Sequence, residues 1–107
     1  MLNFTEGHTN VVEPGKRPRT TIINYMITKD GSPIATVGCP GGDAQAQANL
    51  QLVLNTILWG MNPQEASEVP RFSSLSVPNS FYPHTYLPGQ LSLENGLSAE
   101  VRKGLIN

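Results

Sequence analysis

The sequence holds a single cysteine, Cys39, among 107 residues. One thiol excludes an internal disulfide and any cysteine-based metal site. The two histidines, His8 and His84, lie far apart and without ligand spacing around them, so nothing points to a metal, and no motif asks for a cofactor. Charge is scarce too. Charged residues make up 14% of the chain, against roughly 25% in a free-standing globular domain. With a net charge of −1 and one small basic cluster, Lys16, Arg17 and Arg19, the chain lacks the electrostatic footprint of a nucleic-acid binder. No run approaches the ~20 apolar residues that span a bilayer. The opening Met1-Leu2-Asn3-Phe4-Thr5-Glu6 lacks the basic and apolar regions of a signal peptide. None of this assigns a compartment.

What the chain does have is 9 prolines and 10 glycines. Combined with low charge, they suit either a segment that lies against other protein or a loop-rich domain. A chain of this length fits one compact domain with a small core.

Residues 1–19 carry Gly7, Pro14, Gly15 and Pro18 among polar residues and read as an irregular lead-in. The run 20–28 is rich in β-branched and aromatic residues, and a second such run covers 33–39. Asp30-Gly31 between them predicts a β-hairpin. Pro40-Gly41-Gly42 ends the second strand, and Asp43 can cap a helix. From Ala44 to Trp59 the apolar positions Ala46, Leu50, Val53, Leu54, Ile57 and Leu58 recur every three or four residues. That period predicts an amphipathic helix whose Leu stripe and Trp59 face a core, closed by Gly60. Asn62-Pro63-Gln64-Glu65 combines an N-cap, a first-turn proline and an N3 glutamate, predicting a short helix to about Val69, before Pro70. Residues 71–94 show no period and read as irregular chain wrapping over other protein. Ser98 can cap a third helix over 98–105. The fold class is α+β.

Two local features could carry chemistry. At Pro40-Gly41-Gly42-Asp43, consecutive glycines beside a helix start could present backbone N–H groups to a developing oxyanion, or could simply turn the chain. In Arg17-Pro18-Arg19-Thr20-Thr21, the paired threonine hydroxyls could hold a carboxylate with two donors, or could be ordinary strand-entry threonines. Cys39 reads as a small buried hydrophobe. His8 and His84 read as surface or loop residues.

Five blocks in order and register resemble the γ-glutamyltranspeptidase family. They are 14–21 (PGKRPRTT), Lys29-Asp30-Gly31, 38–43 (GCPGGD), Gln51 to Asn55 with 60–66 (GMNPQEA), and Pro70-Arg71-Phe72. The resemblance runs from about Phe4 to about Gly104 and makes the chain an internal stretch of that family's small subunit, one partial domain over 1–107. It implies part of an N-terminal-nucleophile hydrolase αββα sandwich. It also implies a precursor that cleaves itself, exposing a threonine that attacks γ-glutamyl amides such as glutathione. The acyl group then passes to water or to an amine. By the resemblance, Thr20 and Thr21 bind the substrate's α-carboxylate, and Gly41 and Gly42 supply oxyanion donors. The nucleophile motif and the amino-group ligands lie upstream of residue 1 in the family. The partners implied are therefore a small γ-glutamyl substrate, the large subunit and the upstream small-subunit segment. The chain alone is expected to be inactive and to self-associate. Two departures bear on the substrate: Thr20-Thr21 stands where many members carry Ser-Ser, and Ile23-Asn24 where a Thr/Ser-Pro pair is frequent. An acylase of related architecture, or a non-catalytic remnant or assembly module, are the rival readings.

Overall fold

The structure, a computed structural model, describes residues 3–106. The reading of the chain's first residues as no leader falls partly on 1–2, outside the described residues. The elements are a hairpin, β1 (Asn24–Lys29) and β2 (Ser32–Gly38), then helices α1 (Ala44–Ile57) and α2 (Pro63–Glu68). Two short strands follow, β3 (Phe72–Ser74) and β4 (Leu91–Leu93), and then helix α3 (Ala99–Gly104). The α+β class stands.

The hairpin forms where the Asp-Gly pair predicts it. Asp30 and Gly31 both take positive φ, 51° and 78°, the primed-turn geometry that matches strand twist. Tyr25 pairs with Val37 and Lys29 with Ser32, with a register shift between Ile27 and Thr28. The first strand is shorter than expected and begins at Asn24, not Thr20. The reason lies in α1. Ile23 donates its N–H to Gln45 Oε1 (3.3 Å), and its carbonyl accepts from Asn49 Nδ2 (3.2 Å). Helix side chains, not a strand, satisfy that stretch of backbone.

The capping box at α2 forms as predicted. Asn62 Oδ1 accepts the Glu65 N–H at 3.0 Å, and Glu65 Oε2 accepts the Asn62 N–H at 3.0 Å. Ser98 caps α3 by accepting the Val101 N–H at 3.2 Å.

Two expectations are corrected. The first concerns the inner face of α1. Its Leu stripe does not face a core within this chain: Leu50, Ile57, Leu58 and Trp59 are 54–67% exposed, whereas Asn49 and Asn55 are buried. The face turned inward is a ladder of amides. Gln47 takes Ser74 by both main-chain groups, donating to its carbonyl (3.1 Å) and accepting its N–H (2.8 Å). One turn on, Gln51 takes Phe72 in the same way, at 2.9 and 3.1 Å. Asn55 then donates to the Ala66 carbonyl of α2 at 3.3 Å. Backbone groups need partners wherever water is excluded, and amide side chains carry both a donor and an acceptor.

The second correction concerns 71–94, which is not wholly irregular. Its ends pair as an antiparallel ladder, Phe72 with Leu93 and Ser74 with Leu91. An ion pair clamps the open end: Arg71 donates to Glu94 Oε1 through Nε (3.2 Å) and NH2 (2.8 Å). The Arg71 main-chain N–H donates to Glu94 Oε2 at 2.8 Å. Between the strands, residues 75–90 fold back on themselves, as in the bond from the Asn79 N–H to the Thr85 carbonyl at 2.9 Å.

The outcome is a slab. It measures 48 × 44 × 18 Å with a radius of gyration of 17.5 Å, against about 13 Å for a compact domain near this length. Ala66 is the one fully buried apolar residue among those described. Burial is therefore shallow, and polar pairing carries much of the internal contact.

Candidate functional site

The strand-to-helix corner between β2 and α1 holds the Gly-Gly pair. Gly41 has φ 139° and Gly42 φ 58°, values that a side chain resists. Their carbonyls start the helix, accepting the N–H groups of Ala44 (3.1 Å) and Gln45 (3.2 Å). Their N–H groups donate to nothing among the described residues. Gly42 has a second reason to lack a side chain. A Cβ there would stand 2.8 Å from Phe81 Cε2.

Asp43 departs from its expected role. It sits in the αR region and makes no side-chain cap. Instead its carboxylate turns to the 75–90 segment, accepting the Ser80 N–H on Oδ2 (2.6 Å) and the Ser80 hydroxyl on Oδ1 (2.5 Å). Hydrogen bonding from the Ser80 hydroxyl, then from its N–H, holds the Asp43 carboxyl below its usual range; Arg19 adds a weaker pull.

Residues 19–21 run along the same corner. The Thr20 hydroxyl oxygen accepts the Ile22 N–H at 3.1 Å, which leaves its proton free to donate. Thr20 is exposed and Thr21 is buried. A cleft of about 490 Å3 is lined by Arg19, Thr20, Thr21, Gly42, Asp43 and Ser80, among others. The two features singled out in the sequence, 20 residues apart, thus meet at one surface. Gly41 lines the adjoining cleft, about 310 Å3, which shares Gly42, Asp43 and Val77 with the first and has Leu75, Phe81 and Leu87 on its wall.

Two contributors were missed in the sequence, Ser80 and Phe81, whereas Arg19 stood in the singled-out stretch with no role given to it. Arg19 carries a local signal, a cation directly before the hydroxyl pair. Ser80 and Phe81 carry none, because they reach the corner through an aperiodic segment. Cys39, expected to be buried, is half-buried and lines a separate cleft beside Arg71 and Glu94. His8 and His84 lie on the surface, each bonded locally: His8 Nδ1 to the Asn10 N–H, and His84 Nδ1 to the Asn79 carbonyl. Among the described residues no helix is long and apolar enough to cross a membrane.

Solved structures share this fold. A mutant of the Helicobacter pylori γ-glutamyltranspeptidase superposes on 92% of the chain with a TM-score of 0.72 and 30% identity, the chain covering 48% of it. A cephalosporin acylase from Bacillus halodurans superposes on 98% with a TM-score of 0.75 and 31% identity, the chain covering 18% of it. The fold is thus an α+β segment found in enzymes of the transpeptidase and acylase kind. The chain belongs to the γ-glutamyltranspeptidase family, whose sequence model matches residues 1–107. It is 35% identical over 103 residues to the glutathione hydrolase proenzyme of Escherichia coli, and it spans 16% of that relative's length.

Proposed function

We propose that this chain forms one wall of the donor site of a γ-glutamyl hydrolase or transferase. Thr20 and Thr21 bind the α-carboxylate of a γ-glutamyl amide such as glutathione, with the Arg19 charge alongside. The N–H groups of Gly41 and Gly42 receive the oxyanion as the amide carbon becomes tetrahedral. The attacking threonine comes from an upstream segment of an N-terminal-nucleophile αββα sandwich, and these 107 residues alone are inactive. The observation that carries the reading is the shared cleft, whose lining includes Arg19, Thr20, Thr21 and Gly42. Two donors without partners among the described residues suit a developing negative oxygen at this glycine corner, because fixed N–H dipoles cost no reorganisation during reaction. Thr20 keeps one hydroxyl proton to give, since its oxygen serves as an acceptor within the chain.

The test is a double substitution, Thr20→Val with Thr21→Val, in the full-length protein. Each lost hydrogen bond to a charged group costs about 1.5–3 kcal/mol, so kcat/KM on a γ-glutamyl anilide should fall at least tenfold, mostly through KM. Unchanged kinetics would make the pair structural. A second reading, an acylase for a different acyl group, draws on the cephalosporin acylase likeness. It predicts turnover of acyl amides that lack an α-carboxylate, with little dependence on the threonine pair.

A further inference from the structure

The glycine corner is buttressed from outside. Ser80 is buried, 1% exposed, and gives both of its donors to the two oxygens of Asp43. The next residue, Phe81, lays its ring where a Gly42 side chain would be. Asn79 locks the loop that carries them. Its Oδ1 accepts the Phe81 N–H (2.8 Å), and its own N–H donates to the Thr85 carbonyl (2.9 Å). A chain of contact therefore runs from the Asp43 carboxylate through Ser80 and Phe81 back to Gly42.

Such a support has physical work to do. Two adjacent glycines form the most freely rotating pair a chain can contain, yet oxyanion donors act only when already aimed. A carboxylate is the group that matches Ser80, because each of its oxygens meets one of the residue's two donors. An asparagine at 43 would keep one acceptor and set an NH2 against the other donor.

We propose that Asp43 is a positioning residue: through Ser80 it holds the Phe81 ring against Gly42 and fixes the direction of the Gly41 and Gly42 N–H groups. The proposal rests on the oxyanion reading of the glycine pair given above. Asp43 is a positioning group because it acts on the corner through a second residue and a ring.

The test measures kcat and KM on a γ-glutamyl anilide in the full-length protein for Asp43→Ala, Ser80→Ala, their double variant, Phe81→Ala and Asp43→Asn. Asp43→Ala should lower kcat about tenfold with KM within about twofold, because the threonine pair still holds the substrate. The double variant should match Asp43→Ala alone, since both residues serve one linkage. Asp43→Asn should fall between wild type and Asp43→Ala. A folded Asp43→Ala protein with wild-type kcat would overturn the proposal, as would a double variant whose loss is the product of the single losses. If Asp43→Ala does not fold, Ser80→Ala and Phe81→Ala carry the test, and wild-type kcat in both overturns it. Amide spectra of protein labelled with 15N-glycine separate this proposal from the functional reading beneath it. If the full-length protein cleaves no γ-glutamyl anilide, that reading fails. The clamp then stands if the Gly41 and Gly42 resonances move in both Asp43→Ala and Ser80→Ala, and falls if they stay in place.

Discussion

Asp43 and Ser80, 37 positions apart, are joined by two hydrogen bonds that use both carboxylate oxygens and both donors of the serine. The pair ties the start of α1 to the loop between β3 and β4. Its strength depends on ionisation, because a protonated carboxyl loses acceptor capacity.

That dependence gives a pH prediction. The folded Asp43 carboxyl titrates below its ordinary range, chiefly through the Ser80 hydroxyl, whereas in the unfolded chain it returns to about 3.9. A group whose folded value is lowered stabilises fully above the unfolded value, and the contribution is lost as pH falls through the folded value. Thermal stability should therefore fall below about pH 4. Asp43→Asn should remove part of that acid sensitivity. Glu94, lowered mainly by its bond to Arg71, should account for another part. An Asp43→Asn protein with the wild-type acid profile would contradict this.

A second prediction concerns Gly42→Ala. The positive φ of 58° costs an alanine about 1–2 kcal/mol, and the new methyl meets Phe81 Cε2. Adding Phe81→Ala should recover the steric share of the lost stability and leave the backbone share. Full recovery in the double variant, read by denaturant unfolding, would show that backbone strain plays no part.

Third, Gln51→Leu should destabilise by about 1 kcal/mol, the low end of the range, since water can replace the exposed bonds to Phe72. Gln47→Leu should cost more, because its bonds to Ser74 are partly buried. Hydrogen exchange at the Phe72 and Ser74 amides would report each loss separately. Equal exchange in variant and wild type would refute the ladder's role.

A fourth prediction concerns assembly. The isolated chain exposes Tyr25 and Met26 on the hairpin, and Ile57, Leu58 and Trp59 at the end of α1. Exposed apolar groups of this size drive association, so sedimentation at micromolar concentration should show reversible self-association, reduced by Leu58→Lys with Trp59→Lys. A sharp monomer at all concentrations would count against it.

Much of this was legible in the sequence. Asp30-Gly31 announces the hairpin turn, and Asn62 with Glu65 announces the capping box. The period from Ala46 to Leu58 announces α1. The inward face of that helix was not legible, because hydropathy ranks Leu50 and Trp59 above Gln47, Gln51 and Asn55. Yet those amides recur every four residues, as regular a stripe as the apolar one. β3 and β4 escaped notice because three-residue strands leave no period, and the amides that hold β3, Gln47 and Gln51, lie more than 20 positions before the residues they bond. At the site, Thr20, Thr21, Gly41 and Gly42 stood out through local chemistry. Ser80 and Phe81 did not, because only the folded loop carries them to the corner.

The amide ladder has a consequence for how the small sheet can grow. Four residues along a helix advance about 6 Å, and two along a strand advance about 6.6–6.8 Å, so Gln47 and Gln51 meet alternate residues of β3 in step. The helix thereby imitates a neighbouring strand, and the β3 edge is closed to any further one. Unprotected edges are where foreign chains add and fibrils begin. Extension of this sheet is accordingly one-sided: a third strand, from the same protein or another, has to join beside β4.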